Sequence, residues 1–305
     1  MNILLEKIIN ECSCYTNYGE VASYIPELSK ANPNEFGISI MTDTDAIYSA
    51  GDCERNFTMQ SVIKPLILLL ALMDNGIEHI RDIVGVEATG KPFDAFNYSD
   101  QALNSEHINP MINTGAIALC TAIKGNTYKE KFSRLLELTR CLADNNTLMV
   151  DEDVYLSEKA TGSKNRALAY MLKAYGMISG DVEEIVDFYF KACSVKANCI
   201  DLAKIGYVLS KKGKNPYTKE QIFKPEYARY VNAVLMNCGM YDGSGEFAIN
   251  VGVPAKSGVG GGIMAVVPNR LGIGIYSPSL DKKGNSFAGI KALEHLSKEL
   301  ELSIF

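Results

Sequence analysis

The chain has 305 residues, of which 47% are hydrophobic and 22% are charged, and its formal net charge is −6. This composition is typical of a globular protein and excludes a disordered one, which combines few hydrophobic residues with a high net charge. A mildly acidic chain without a basic run also argues against binding to nucleic acid or to an anionic membrane.

The first predicted elements are a helix and a β-hairpin. The residues expected to share one side of the opening helix are Ile3, Leu4, Ile8 and Ile9. Residues 36–42 alternate and are rich in β-branched side chains, residues 42–45 have turn composition, and residues 46–49 form a second strand. Charged residues interrupt the apolar opening segment, which therefore does not resemble an export signal, and we expect a cytoplasmic protein.

A strongly apolar helix follows the hairpin. It is predicted over residues 60–75 and ends at Asn75 and Gly76, a typical signal for the end of a helix. Its apolar run, residues 66–73, is much shorter than the about 20 residues that span a bilayer. The run therefore predicts a buried core helix.

The middle of the chain is predicted to be mostly helical, and strands return near the C-terminus. Apolar residues have helical spacing over 128–143, 163–175, 181–192, 199–211 and 226–238. Residues 85–112 are irregular and contain Gly, Pro and Asn, and loops of this length are usually functional. The last predicted elements are strands over 247–251, 263–267 and 271–276 and a helix over about 286–301.

These elements predict an α/β (α+β) fold. Since strands occur at both ends of the chain, we expect one antiparallel sheet built from both ends, covered by the terminal helices, beside a helical lobe. We expect a single domain over residues 1–305, with a sheet-containing part at about 1–60 and 245–305 and a mostly helical part at about 61–244.

The cysteine and histidine residues do not indicate a metal site. The eight cysteines include no C-x-x-C pair, and the three histidines are scattered along the chain. Disulfide frameworks belong to short secreted proteins and zinc sites to paired spacings. We therefore expect reduced, mostly buried thiols, no metal and no cofactor.

Two short motifs could carry chemistry. Ser61 and Lys64 form S-x-x-K at the start of the apolar helix, where side chains three residues apart share a face. A nearby amine could activate the serine hydroxyl as a nucleophile, and Pro65 fits if the helix has barely begun. Lys256 begins a K-S-G motif followed by glycines, without the spacing of a phosphate-binding loop. Each motif alone is common.

In this chain order the two motifs are typical of the superfamily of penicillin-binding proteins and serine β-lactamases. The third motif of that superfamily, S-x-N, has one match at residues 163–165. Longer motifs narrow the resemblance, and they lie at residues 24–28, 60–65, 109–116, 188–194, 239–247, 253–262 and 277–286. Over about residues 18–290, the chain resembles the serine-dependent glutaminases.

The resemblance implies a set of site residues. The nucleophile is matched by Ser61 and the base by Lys64, and Val259 would contribute its backbone N–H. Matching side chains that would line the site or bind the substrate are Tyr24, Asn113, Glu158, Asn165, Tyr189 and Tyr241. The resemblance also implies L-glutamine as the substrate and a homodimer or homotetramer.

The implied mechanism is attack of Ser61 on the side-chain amide, with release of ammonia and later hydrolysis of the γ-glutamyl ester. Burial and the charge of Lys256 would both lower the pKa of Lys64, which must be neutral to act as a base. Glu158 would bind the α-ammonium group of glutamine. Either Tyr24 or Tyr241 could pass the proton to the leaving amine.

Two other functions remain open at this point. A β-lactamase or transpeptidase would belong to the same superfamily, although such enzymes are exported. A non-catalytic metabolite sensor would keep the pocket and lose the nucleophile, although Ser61, Lys64 and Lys256 are all present. Asparagine could also replace glutamine as the substrate. The loop that contains Ala88 and Asp94 departs from the family pattern at both positions.

Overall fold

The computed structural model describes residues 1–44, 46–90, 106 and 108–305, and its strands form one larger sheet and two short pairs. The strands are β1 (Glu20–Val21), β2 (Gly37–Met41), β3 (Ile47–Gly51), β4 (Phe57–Thr58), β5 (Lys196–Ala197), β6 (Ala255–Ser257), β7 (Gly262–Val267), β8 (Leu271–Tyr276) and β9 (Ser279–Leu280). The larger sheet has the order β3-β2-β8-β7-β6 and is antiparallel throughout. Both chain ends meet where β2 pairs with β8, which confirms the predicted sheet.

Helices cover the sheet and fill the middle of the chain. They are α1 (Asn2–Cys12), α2 (Lys64–Ile83), α3 (Asn113–Ala122), α4 (Tyr128–Ala143), α5 (Glu152–Thr161), α6 (Ser163–Ala174), α7 (Val182–Cys193), α8 (Cys199–Ser210), α9 (Pro225–Cys238), α10 (Ser244–Asn250) and α11 (Phe287–Leu300). Side chains cap several of them. Asn198 and Asp201 form a reciprocal capping box at the start of α8, which satisfies two backbone N–H groups that the helix cannot.

The structure has two main hydrophobic cores. One lies among the helices around α2, and the other lies between the sheet, α1 and α11. The span Gln60–Ile83 is the one helix among the described residues that is long and apolar enough to cross a membrane by composition, and most of it is buried in the protein. Its apolar run is therefore a core helix, as predicted. Gly76 leaves helical geometry, with φ of 80°, at the predicted stop.

Two local predictions were wrong. Residues 247–251 form the end of α10 and the residue after it, because only Phe247 and Val251 are buried, four residues apart, while Ile249 is 86% exposed. The apparent alternation thus reflects helical spacing. In α1, Ile3 is 84% exposed and does not share the buried side, whereas Leu4, Ile8 and Ile9 pack on the core as predicted; the other fully buried residues of this helix are Leu5 and Cys12. Helices α3 and α5 were not predicted.

Helix α8 packs directly on the sheet because β8 carries glycines. A Cβ atom on Gly274 would lie 2.0 Å from the carbonyl oxygen of Cys199, and one on Gly272 would lie 2.1 Å from the backbone nitrogen of Tyr207. These distances leave no space for a side chain. The contact joins the two cores, since α8 also packs on α4 in the helical part.

The substitution Gly274→Ala should destabilise the fold by about 1–3 kcal/mol, because the new methyl group overlaps the backbone of α8. Denaturant unfolding measures this loss. The matched control is Gly245→Ala in α10, where no atom lies within 4 Å of the new Cβ and a helical alanine should stabilise by up to about 1 kcal/mol. Equal stability of the two variants would contradict the close packing of α8 on β8.

Candidate active site

Most of the predicted site residues surround one cavity. Its lining includes Tyr24, Gln60, Ser61, Asn113, Glu158, Asn165, Tyr189 and Cys193. Gln60 and Ser61 lie in the 3₁₀ turn that leads into α2, and Tyr24 lies between β1 and the 3₁₀ turn Pro26–Lys30. The other residues come from α3, α5, α6 and α7. Tyr24 also lines a wider outer cleft with Tyr241 and Val259, so the two spaces adjoin.

Ser61 lies in a 3₁₀ turn, Gln60–Ile63, that leads into α2, and Lys64 is the first residue of that helix. Pro65 occupies the first turn of α2, as the sequence requires. Lys64 is fully buried, and its Nζ donates hydrogen bonds to the carbonyl oxygen of Met111 at 3.2 Å and to Oδ1 of Asn113 at 2.6 Å. The lysine is thus oriented by two fixed acceptors beside the Ser61 turn.

Asn113 connects the lysine to the rest of the cavity. Its Oδ1 accepts hydrogen bonds from Lys64 and, at 3.1 Å, from the hydroxyl of Tyr189. Its Nδ2 donates to Oδ1 of Asn165 at 2.9 Å. One amide at the start of α3 therefore fixes side chains from α2, α6 and α7. Asn165, the last residue of the S-x-N match at residues 163–165, lines the cavity. The side-chain amide that accepts the hydrogen bond from Lys64 belongs to Asn113.

Glu158 is a buried carboxyl group without a cationic hydrogen-bond partner among the described residues. Burial raises its pKa to about 8, against the opposing effects of a hydrogen bond from Gln60 and the charge of Lys64. Its Oε2 accepts no hydrogen bond within the described part of the chain. Such a group can accept a cation that enters the cavity.

The K-S-G-V-G-G-G segment forms the β6–β7 turn, which packs on the backbone before Ser61. A Cβ atom on Gly258 would lie 2.6 Å from the carbonyl oxygen of Met59, and one on Gly260 would lie 2.4 Å from that of Thr58. Within the described residues, the N–H groups of Ser61 and Val259 donate to no backbone carbonyl. The β6–β7 turn and the turn that carries Ser61 can therefore each offer one amide to an oxyanion.

Tyr241 and Lys256 form a third group. Tyr241 lies in a 3₁₀ turn with a left-handed φ of 53°, its phenol contacts Ser61, and burial raises the pKa of this phenol. Lys256 is fully buried, and its Nζ lies 4.2 Å from the centroid of the Tyr241 ring. Burial and then the charge of Lys64 lower the pKa of Lys256.

The sequence did not identify Gln60 as a site residue. Gln60 has a left-handed φ of 48°, and its side chain binds Glu158 and donates to Oγ1 of Thr58. The positive φ marks Gln60 only in the structure, where backbone strain of this kind clusters at functional sites. Of the two departures from the family pattern, Ala88 lines a separate cavity beside Tyr241, and Asp94 lies outside the described residues.

No group of three or more His, Cys, Asp or Glu side chains in the described ranges could hold a metal ion. The arrangement instead combines a serine hydroxyl, a lysine amine, a carboxyl group and backbone amides. These are the components of acyl transfer through a covalent intermediate.

The substitution Glu158→Gln should stabilise the protein at high pH. The pKa of Glu158 is raised from 4.5 to about 8 in the folded state, so the folded protein holds this proton more tightly than the unfolded chain. Stability is therefore lost as the pH rises between these values, and above pH 8 the carboxylate costs a few kcal/mol. Urea unfolding should show a large gain for the variant at pH 9 and little gain at pH 5.

The matched control for this measurement is Glu152→Gln, at an exposed position in the first turn of the same helix. Loss of its charge should change stability by less than about 1 kcal/mol at either pH. A gain for Glu158→Gln that is equal at pH 5 and pH 9 would contradict a carboxyl pKa raised by burial.

Comparison with known proteins identifies the family. A family model described as Glutaminase matches residues 19–305. A glutaminase of Clostridioides difficile (strain 630) is 50% identical over 302 residues, which cover 99% of this chain and 98% of that protein. A glutaminase of Clostridium tetani (strain Massachusetts / E88) is 50% identical over 305 residues and over the full length of both chains.

A solved structure agrees with the sequence matches. It is the covalent complex between a Bacillus subtilis glutaminase and 5-oxo-L-norleucine, formed by reaction with 6-diazo-5-oxo-L-norleucine. The two folds superpose with a TM-score of 0.91 at 36% identity, covering 100% of this chain and 99% of that one. The fold is thus the β-lactamase-like fold of the glutaminases. The chain belongs to the glutaminase family.

Proposed function

We propose that the protein hydrolyses L-glutamine to L-glutamate and ammonia through an acyl-enzyme on Ser61. The observation that carries this proposal is the single cavity that holds both Ser61 and the buried carboxyl group of Glu158. Glutamine has a side-chain amide that Ser61 can attack and an α-ammonium group that the Glu158 carboxylate can bind. Membership of the glutaminase family supports the same reaction.

Lys64 is the general base in this proposal. A neutral lysine amine has two N–H bonds and one lone pair, and the carbonyl groups of Met111 and Asn113 accept both N–H bonds. These acceptors fix the direction of the lone pair. Ser61 is three residues earlier, in the 3₁₀ turn that leads into this helix, where its hydroxyl can give its proton to this amine. The serine oxygen then attacks the amide carbon of the substrate.

The negative oxygen of the tetrahedral intermediate would bind the N–H groups of Ser61 and Val259. A preorganised donor of this kind typically contributes ~2.7–4 kcal/mol to the stability of the transition state. The close packing of Gly258 and Gly260 on residues 58–59 supports this role, because it fixes the turn relative to the nucleophile.

Tyr241 is the better candidate for passing the proton to the leaving amine. Its phenol contacts Ser61, and its raised pKa keeps it protonated between transfers. It would give its own proton to the departing nitrogen while it receives one from Lys64, so ammonia leaves and the γ-glutamyl ester remains. Water then hydrolyses the ester. Tyr24 is 56% exposed and lines the entrance, where it would help to enclose the substrate.

Recognition of the α-amino acid end divides between two sides of the cavity. Glu158 would pair with the α-ammonium, which removes the cost of its buried charge. Asn113, Asn165 and Tyr189 supply amide and hydroxyl groups that suit the α-carboxylate. Substrate binding and base positioning would then share Asn113, since it also binds Lys64.

We also propose a cytoplasmic homo-oligomer. All eight cysteines, which lie in the described residues, carry free thiols, and this supports a reducing compartment. The apolar side chains of Ile249 and Phe305 are each more than four-fifths exposed, and a second copy that covered them would remove this apolar surface from water. Light scattering on the purified protein should give at least twice the monomer mass of 33.4 kDa. A monomer at micromolar concentration would contradict the oligomer.

The substitution Ser61→Ala should abolish ammonia release from L-glutamine, because the nucleophile is removed. In parallel, 6-diazo-5-oxo-L-norleucine should add covalently to the peptide that contains Ser61 in the parent protein and to no peptide in the variant. Mass spectrometry after digestion measures this. The matched control is Ser277→Ala, which removes another fully buried hydroxyl and should keep both activities.

Each alternative has its own outcome in the same experiment. Release from L-asparagine in place of L-glutamine would change the substrate. Covalent labelling by a fluorescent penicillin without glutamine turnover would favour the β-lactamase or transpeptidase function. Equal ammonia release by the parent and Ser61→Ala would contradict the proposed nucleophile.

A further inference from the structure

The position of Lys256 raises a question that the proposed mechanism does not answer. The hydrogen bonds that the structure gives to its Nζ both go to backbone carbonyl groups, to Gly239 at 3.0 Å and to Ser257 at 2.6 Å. The amine also lies 4.2 Å from the centroid of the Tyr241 ring. Its contacts therefore lead to the segment that carries Tyr241.

That segment is strained and tightly held. A non-glycine residue with a φ of 53°, as at Tyr241, is strained and persists only where its surroundings impose it. Ser244 accepts from the N–H of Met240 and donates to the carbonyl oxygen of Tyr241, and Asn285 donates to the carbonyl oxygen of Met240. Lys256 adds the bond to Gly239 and the contact with the ring.

We propose that Lys256 is a positioning residue that acts through Tyr241, holding its ring so that the phenol lies at Ser61. This inference rests on the proposed function, because it assigns Tyr241 the proton transfer to the leaving amine. Lys256 reaches the tyrosine from two sides: it binds the backbone two residues earlier and it contacts the face of the ring. Neither contact involves proton transfer.

An electrostatic role is the competing explanation. Lys64 is close enough to lower the pKa of Lys256, so a charge on Lys256 would oppose protonation of Lys64 in return. The two roles differ in their consequences. Removal of a charge would move the acid limb of the pH profile, whereas loss of positioning would matter only while Tyr241 has its hydroxyl.

A double-mutant cycle separates the two roles. Lys256→Met keeps a long apolar side chain under the ring and removes the N–H donors, and Tyr241→Phe keeps the ring and removes the hydroxyl. Each single variant should lower kcat/KM by about 10²-fold or more, the usual value of a positioned proton donor. The double variant should lose little more than Tyr241→Phe alone, and the acid limb of kcat/KM should stay at its parent pH.

The proposal would be overturned if the fold-loss of kcat/KM in the double variant equalled the product of the losses in the two single variants. It would also be overturned if the acid limb of kcat/KM moved to higher pH in Lys256→Met. The control is Lys204→Met in α8, which removes another lysine amine beside a tyrosine ring, that of Tyr217 at 5.9 Å from its centroid. It should retain parent activity. A parent protein without glutamine turnover would contradict the proposed function, whereas an active parent with multiplied losses would contradict this inference alone.

A second variant protects the test if Lys256→Met does not fold. Ser244→Ala replaces one small uncharged residue with another, and it removes the two hydrogen bonds that the Ser244 hydroxyl forms with Met240 and Tyr241. Positioning predicts a loss of activity that disappears in the Tyr241→Phe background, with no shift of the acid limb. An unchanged kcat/KM, or a loss that persists without the Tyr241 hydroxyl, would contradict it.

Discussion

The burial of Lys64 at the start of α2 is the constraint on which the site depends. A lysine amine removed from water requires hydrogen-bond acceptors, and here they are the Met111 carbonyl group and the Asn113 side chain. Asn113 can serve the lysine only if α3 begins at that point. The same amide also forms hydrogen bonds with Asn165 in α6 and Tyr189 in α7. These two helices are therefore held in place relative to the buried Lys64 amine.

The sheet contributes the other half of the site. Strand β6 carries Lys256, and the turn after it places Gly258, the neighbour of Val259, against the backbone at Met59 and Ser61. The turn approaches closely because glycines leave room for the carbonyl oxygens of residues 58 and 59. The nucleophile thus lies where the helical core meets the sheet core, and rigid elements from both sides hold it. This is the arrangement that preorganised catalysis requires.

Much of this architecture was predictable from local patterns. Turn composition and strand spacing predict the hairpin of β2 and β3 and the pair β7–β8. The position of Pro65 predicts that the helix begins just after Ser61. Helix α5 was not predictable, and the reason is functional. Its buried residues are Val154, Tyr155 and Glu158, so a carboxyl group stands where an amphipathic pattern requires an apolar residue. Helix α3 is buried on all sides over its first eight residues and shows no periodicity.

The same reasoning explains why the site residues look unfavourable one by one. Gln60 and Tyr241 have left-handed backbones, and Oε2 of the buried Glu158 accepts no hydrogen bond in the described part of the chain. The packed cores on both sides offset these costs in the absence of substrate. Since the pKa of Glu158 is about 8, the group carries a proton at neutral pH, and pairing with an α-ammonium would displace it. The α-ammonium group would therefore supply the positive charge that stabilises this carboxylate, so the burial of Glu158 would favour substrates that carry an α-amino group.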